Sequence, residues 1–324
     1  MEGGRHVQAI PAHPDPRARG PARRGAKPSA PKRVLVIGAG VAGLEYARVA
    51  AEHGHAVTVW ERKTEAGGQV ELAAAPPGRG EFGRLKEYLV QACERLGVAL
   101  EYGKDATASD VEGAVTAERF AKVVLATGAR PITVPIPIEA GSAVVQAWDV
   151  LRGLAETGSR VVVVGGGAVG VETALLLAEV GTLDAETLRF LLLQRAEEPE
   201  ELYRLLTQGT KEVTIVEMLE TIGTDIGPST RWSMLARLRQ FGVTVRAGAK
   251  VLAVRDGGVW VEGPSGEERI EADTVVLALG SRPNDELAAE LSGWIADLTV
   301  IGDAVKPKKM LDAIREAYEQ ATAV

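Results

Sequence analysis

RVLVIGAGVAGLEYARVAAEHGHAVTVWER (33–62) decides the fold. Val34–Ile37 is a continuous apolar run, as in strands buried on both faces of a parallel sheet. Gly38-Ala39-Gly40-Val41-Ala42-Gly43 follows as a GxGxxG turn, Leu44–His53 has helical spacing, Gly54 stops the helix, and Ala56–Trp60 reads as a second strand. The three glycines answer three needs: a tight turn, close approach of a pyrophosphate, and close packing of helix on strand. The helix N-terminus adds unpaired N–H groups and a partial positive charge. Glu61 ends the second strand, 23 residues after Gly38, where a carboxylate can accept ribose hydroxyls. Strand, glycines, helix, strand and acid thus describe a dinucleotide site built from Gly38, Gly40, Ala42, Gly43 and Glu61.

VVVVGGGAVGVETALLL (161–177) starts the same way, with Gly165, Gly167 and Gly170 at the same spacing. No strand-ending acid stands about 20 residues on, where such a unit needs one. KEVTIVEM (211–218) closely parallels HAVTVWER (55–62), which assigns the acid to Glu217, 52 residues after Gly165. The excess over the first unit is about the length of GTLDAETLRFLLLQRAEEPEELYRLLTQGT (181–210), whose leucines recur at helical spacing. That segment reads as a helical excursion on the surface, which costs little loop-closure entropy. An acid in this position pairs with free ribose hydroxyls and repels a 2′-phosphate. Met218 follows it and no arginine stands beside it, so NADH is expected here and NADPH is disfavoured.

Composition narrows the alternatives. The chain has 324 residues, a net charge of −7 and 46% hydrophobic residues. That length suits two domains, and the acidic balance argues against nucleic acid as the main partner. No apolar run is long enough to span a bilayer and no secretory signal opens the chain, so a cytoplasmic location is the default. Cys93 is the single cysteine, which excludes a redox pair or cysteine-held iron–sulfur cluster in this chain. It falls in the apolar register of Leu85, Leu89 and Leu96 and reads as a core side chain. His53 and His55 flank Gly54 at a helix end and read as capping residues; Trp148, Trp232 and Trp294 read as packing residues. Residues 1–32 are rich in Pro, Gly, Ala and Arg and are expected to be a disordered, solvated basic tail.

Further motifs stand at fixed places: Gly68-Gln69, Ala126-Thr127-Gly128 after a buried strand, Leu279-Gly280-Ser281-Arg282-Pro283-Asn284 after another, Val300-Ile301-Gly302-Asp303-Ala304, and a helix opening at Met310. With two dinucleotide units in one chain, the sequence resembles the two-dinucleotide-domain flavoprotein reductases. GGQVELAAAPPGRGEF (67–82), the ending KPKKMLDAIREAYEQA (306–321) and the helical insertion make it similar to one group among them. These are the C-terminal halves of the old yellow enzyme-related multi-domain reductases, such as 2,4-dienoyl-CoA reductase, 2-enoate reductase and trimethylamine dehydrogenase.

The resemblance implies an α/β fold of two Rossmann-like domains. The FAD-binding domain occupies 33–150 and 271–324, and the NAD(P)H-binding domain 151–270, with its insertion at 181–210. Gly38, Gly40, Ala42, Gly43 and Glu61 are expected to hold the adenosine diphosphate part of FAD, and Gly68 and Gln69 to lie near the isoalloxazine. Thr127 and Gly128 are expected near the diphosphate side of FAD, Gly280 in the motif ending a strand that returns the chain between domains, Gly302 and Asp303 in the ribityl motif, and Met310 at the start of a helix whose N-terminus faces the flavin. Gly165, Gly167, Gly170 and Glu217 are expected to bind NADH. Glu172 matches a glutamate facing the nicotinamide in related reductases; a solvated helix residue is the other reading. In the group, an FMN-binding barrel and an iron–sulfur cluster precede this half. Only 32 residues precede the first strand, so FMN and the cluster are expected to be absent from this chain. The function implied is hydride transfer from NADH to FAD, with electrons passed to a separate FMN/iron–sulfur subunit or a diffusible acceptor. The alternative is a truncated or degenerate nucleotide-binding fragment without independent catalysis.

Overall fold

In the computed structural model, residues 30–118 and 120–324 are described. The expected disordered tail, 1–32, therefore falls almost wholly outside the described residues.

Two five-stranded parallel sheets form the frame. The first contains β1 (Arg33–Ile37), β2 (Ala56–Glu61), β3 (Ala99–Tyr102), β4 (Lys122–Leu125) and, from the C-terminal end, β15 (Leu298–Val300), in the order β15-β4-β1-β2-β3. The second contains β6 (Val144–Gln146), β7 (Arg160–Val164), β8 (Glu212–Val216), β9 (Thr244–Arg246) and β13 (Thr274–Leu277), in the order β6-β13-β7-β8-β9. The two orders superimpose strand for strand, with β7 in the place of β1. The fifth strand arrives from opposite directions along the chain: β15 from the far end in one case, β6 from upstream in the other.

Four of the five residues of β1 and of β7 are buried, which is why these runs carry no alternation. Helix α1 (Val41–Glu52) packs on the first sheet beside α11 (Met310–Thr322), where Ala313, Ala317 and Ala321 let the two helices approach closely. Helix α3 (Glu81–Arg95) covers the same face and places Cys93 in that core; α2 (Val70–Ala74) precedes it. On the other face lie α4 (Ala108–Glu118) and α10 (Glu286–Leu291). In the second unit, α5 (Ala147–Leu151), α6 (Ala168–Ala178) and α9 (Pro228–Gln240) form one layer, and the meander of β10 (Lys250–Arg255), β11 (Gly258–Gly263) and β12 (Gly266–Glu271) forms the other. The units are joined where β5 (Ala129–Pro131) pairs antiparallel with β14 (Ser281–Pro283).

The expected α/β class with two Rossmann-like cores is the fold found. Sheet membership moves the expected boundaries. Thr274–Leu277, expected in the returning first unit, pairs with β6 and β7 in the second sheet, and Val144–Val150, expected in the first unit, belongs to the second. A buried run such as TVVL fits a central position of either sheet, so only the pairing assigns it. Segment 181–210 is helical as expected, folding as α7 (Ala185–Gln194) and α8 (Pro199–Thr207), with Asp184 capping the Thr187 amide. Among the described residues, no helix is long and apolar enough to cross a membrane.

Candidate functional site

The two glycine turns have the same geometry. Gly38 lies at φ +104° and Gly165 at +108°, where L side chains are strained. The Gly38 amide donates to the Trp60 carbonyl at 2.7 Å, and the Gly165 amide to the Val216 carbonyl at 2.8 Å, which pins each turn to the next strand. A Cβ on Gly43 would stand 1.9 Å from the Gly38 oxygen, and one on Gly170 1.9 Å from the Gly165 oxygen. These third glycines line neither cleft; they let the helix sit against its own turn.

The two acids are held alike. Buried Glu61 accepts the Ala39 amide on Oε2 at 2.8 Å and the Lys63 amide on Oε1 at 2.9 Å. Glu217 accepts the Gly166 amide on Oε2 at 2.6 Å and the Leu219 amide on Oε1 at 2.8 Å. Each carboxylate oxygen keeps a further lone pair, so both acids are oriented and still able to accept hydroxyls. The displaced acid inferred from the repeated VTVWE and VTIVE strands thus stands against the second glycine turn.

A cleft of about 490 Å³ opens beside the first turn. Gly38, Gly40, Ala42, Glu61, Gly68, Gln69, Thr127, Gly128, Asp303 and Met310 all line it. Gly68, at φ +59°, brings its backbone so close to Gly40 that an added Cβ would lie 3.1 Å from the Gly40 Cα. Gln69 Nε2 donates to Asp303 Oδ2 at 3.1 Å, and the Lys308 amide donates to Asp303 Oδ1 at 3.1 Å. Burial pushes the Asp303 carboxyl above its ordinary range, and these two donors oppose that rise. Thr127 Oγ1 donates to the Asn284 carbonyl at 2.6 Å and Asn284 Nδ2 donates back to the Thr127 carbonyl at 3.2 Å, clasping the two inter-unit strands. Gly302 does not line the cleft; a Cβ there would stand 3.0 Å from that of Ala42.

A second cleft, of about 810 Å³, lies over the other turn, lined by Gly165, Gly167 and Glu217 among others. Gly280 lines this cleft rather than the first.

Glu172 lines neither cleft and is not solvated: its side chain is 13% exposed and accepts Arg79 Nη2 at 2.9 Å. Burial raises its carboxyl above the ordinary value; nearby Asp225 adds to the rise and Arg79 opposes it. The Arg79 Nη2 also reaches Met234 Sδ at 3.7 Å, so this first-unit arginine touches both α6 and α9 of the second.

Three further residues carried no pattern in the sequence that would single them out. Arg79 sits in a Pro-Pro-Gly-Arg turn, where an unpaired arginine would look ordinary. Asp225, in the GTDIGPST segment, accepts the Ala168 amide at 2.9 and 3.1 Å and so sits on the N-terminus of α6. Trp148, expected to be a packing residue, lines the first cleft together with Arg152. The histidines differ from each other: His53 follows α1 as its C-cap, its amide donating to the Val49 carbonyl at 3.0 Å, whereas buried His55 accepts the Lys32 amide on Nδ1 at 3.1 Å.

Comparison with known proteins places the chain in a family. Residues 32–297 match the family described as pyridine nucleotide-disulphide oxidoreductase. A metal reductase of Desulforamulus reducens is 57% identical over 90% of this chain and 44% of its own length. An NADH oxidase of Thermoanaerobacter brockii is 35% identical over 90% of this chain and 40% of its own. The solved complex of a 2-naphthoyl-CoA reductase matches with a TM-score of 0.78 and 26% identity, over 92% of this chain and 41% of the other. The chain thus spans less than half the length of these relatives, which bear out the old yellow enzyme-related group implied by the sequence.

Proposed function

The chain belongs to the pyridine nucleotide-disulphide oxidoreductase family, whose members bind FAD and NAD(P)H, and from that membership we propose that it is an oxidoreductase module taking hydride from NADH onto FAD. One observation carries the reading: two glycine turns of matching geometry, each with an oriented carboxylate, stand in one chain.

The residues present fit both groups. The first turn leaves Gly40 open, with nothing within 4 Å of an added Cβ, so a phosphate can approach the backbone there. Two buried donors of residues lining the first cleft, Trp60 Nε1 and Arg152 Nε, lack a hydrogen-bond partner among the described residues. Bound FAD supplies a two-electron acceptor for hydride. The protein supplies position and electrostatics. Gly38, Gly40, Ala42 and Gly43 shape the cradle for its diphosphate, and Glu61 holds the adenosine ribose. Gly68, Gln69, Thr127 and Gly128 border the rest of the cleft. Asp303, with Gly302 behind it, would accept from the ribityl chain, and Met310, which opens α11 at the same cleft, would border the flavin end. Gly165, Gly167 and Gly170 shape the NADH turn and Gly280 its rim. Glu217 accepts the free ribose hydroxyls of NADH and repels the phosphate of NADPH. Glu172, held by Arg79 outside both clefts, ties the helix that carries the NADH turn to the first unit.

The reduced module then delivers electrons to a separate protein, such as an FMN/iron–sulfur subunit, or to a diffusible acceptor. Oxygen-free addition of NADH to the flavin-loaded protein tests the first step. Prompt loss of the visible flavin band is expected, with kcat/KM for NADH above that for NADPH. A protein that takes up no FAD contradicts the reading, and a ratio favouring NADPH contradicts the role of Glu217.

A further inference from the structure

Helix α5 belongs to the second unit: Ala147 and Val150 are buried in its core, and β6, from which the helix starts, lies in its sheet. The opposite side of the helix faces elsewhere. Trp148 and Arg152, four residues apart and so on one face, line the cleft of the first unit. The Arg152 guanidinium lies over the Trp148 ring at 5.5 Å from its centroid, which holds the arginine in place. Its contact with Asp149 is loose, at 3.9 Å. Arg152 Nε is buried and has no hydrogen-bond partner among the described residues. A buried donor left unsatisfied is costly, so this N–H is prepared for an acceptor that the described residues do not supply.

We propose that Arg152, oriented by Trp148, is an FAD-holding residue that the second unit contributes to the first unit's cleft. Its Nε–H donates to an oxygen acceptor of the bound cofactor. FAD therefore bridges the two units, and its binding stabilises their arrangement. The inference rests on the FAD reading above and adds a residue that lies outside every glycine and acid motif.

The test is FAD titration of the flavin-stripped protein, alongside thermal unfolding of that stripped protein. The comparison is between wild type, Arg152→Ala and Arg152→Lys. A hydrogen bond to a charged donor predicts FAD binding about ten- to a hundredfold weaker in Arg152→Ala. Lysine, which lacks the directed Nε–H, does not restore it. The stripped variants should melt at or above the wild-type temperature, because the orphaned donor is gone. FAD affinity unchanged in Arg152→Ala, or fully restored by lysine, overturns the assignment. So does a fall in the melting temperature of the stripped protein that accompanies the loss of affinity, which marks a structural role. If the wild type itself takes up no FAD, the functional reading fails and the inference falls with it.

Discussion

The guanidinium of Arg79 stands 2.9 Å from the carboxylate of Glu172 and ties the loop between α2 and α3 to the dinucleotide helix of the second unit. Neither partner is freely solvated, at 29% and 13% side-chain exposure, so the pair is less screened than one on the surface. Arg79→Gln leaves a buried carboxylate without its cation, which costs more than losing the pair alone. Oxygen-free NADH reduction of the flavin should slow about tenfold or more, with FAD content unchanged, if the pair aligns the two units. Stopped-flow reduction across pH gives a second check. The Glu172 carboxyl titrates above its ordinary 4.5, chiefly because of burial, so lowering pH through that raised value protonates it and breaks the pair. Wild type should show this acid limb and Glu172→Gln should not. The sign for stability is opposite. A raised folded-state value favours the fold below 4.5, and that contribution is lost as pH rises through the raised value. Melting temperatures should therefore move in favour of Glu172→Gln, relative to wild type, over that window.

The third glycines separate the two sites genetically. A methyl at Gly43 or Gly170 would meet a carbonyl oxygen at 1.9 Å, forcing helix from turn. Overpacking of this kind costs about 1–3 kcal/mol or more. Gly170→Ala should keep its FAD, read from the visible spectrum, yet lose the spectral response to NADH. Gly43→Ala should lose FAD. Equal flavin content in the two variants would contradict independent sites.

Asp225 distinguishes the second helix from the first. Its carboxylate accepts the Ala168 amide, whereas Gly40 gives α1 no side-chain cap. A pyrophosphate approaching α6 competes with that carboxylate for the same N–H groups. Asp225→Ala should lower the melting temperature of the ligand-free protein, since losing such a cap costs about 0.5–2 kcal/mol. The same variant should bind ADP-ribose more tightly, measured by calorimetry. Weaker binding would show that Asp225 assists the dinucleotide instead.

Cys93 should be inert in the native protein. It is buried, its Sγ donates to the Leu44 carbonyl at 3.3 Å, and burial pushes the thiol up to about 12. Since the thiolate is the reactive form, a disulfide reagent near pH 8 should modify Cys93 only on the timescale of unfolding. Immediate labelling of folded protein would show the α1–α3 core to be open.

Both dinucleotide units were legible in the sequence because strand, glycine turn, helix and acid are consecutive and locally determined. Even the acid displaced by the helical insertion was recoverable, since VTIVE repeats VTVWE and the excess length lies between them. Helical register alone places Cys93 in the core. Tertiary structure decided the rest. Val144–Gln146 and Thr274–Leu277 carry no mark of which parallel sheet they enter, because any buried apolar strand satisfies the same pairing rules. Arg79 acquires meaning only when the second unit brings Glu172 and Met234 to it. Trp148 and Arg152 lie in one unit's chain and at the other unit's cleft. Such contacts depend on how two domains pack, and no spacing along the chain encodes that.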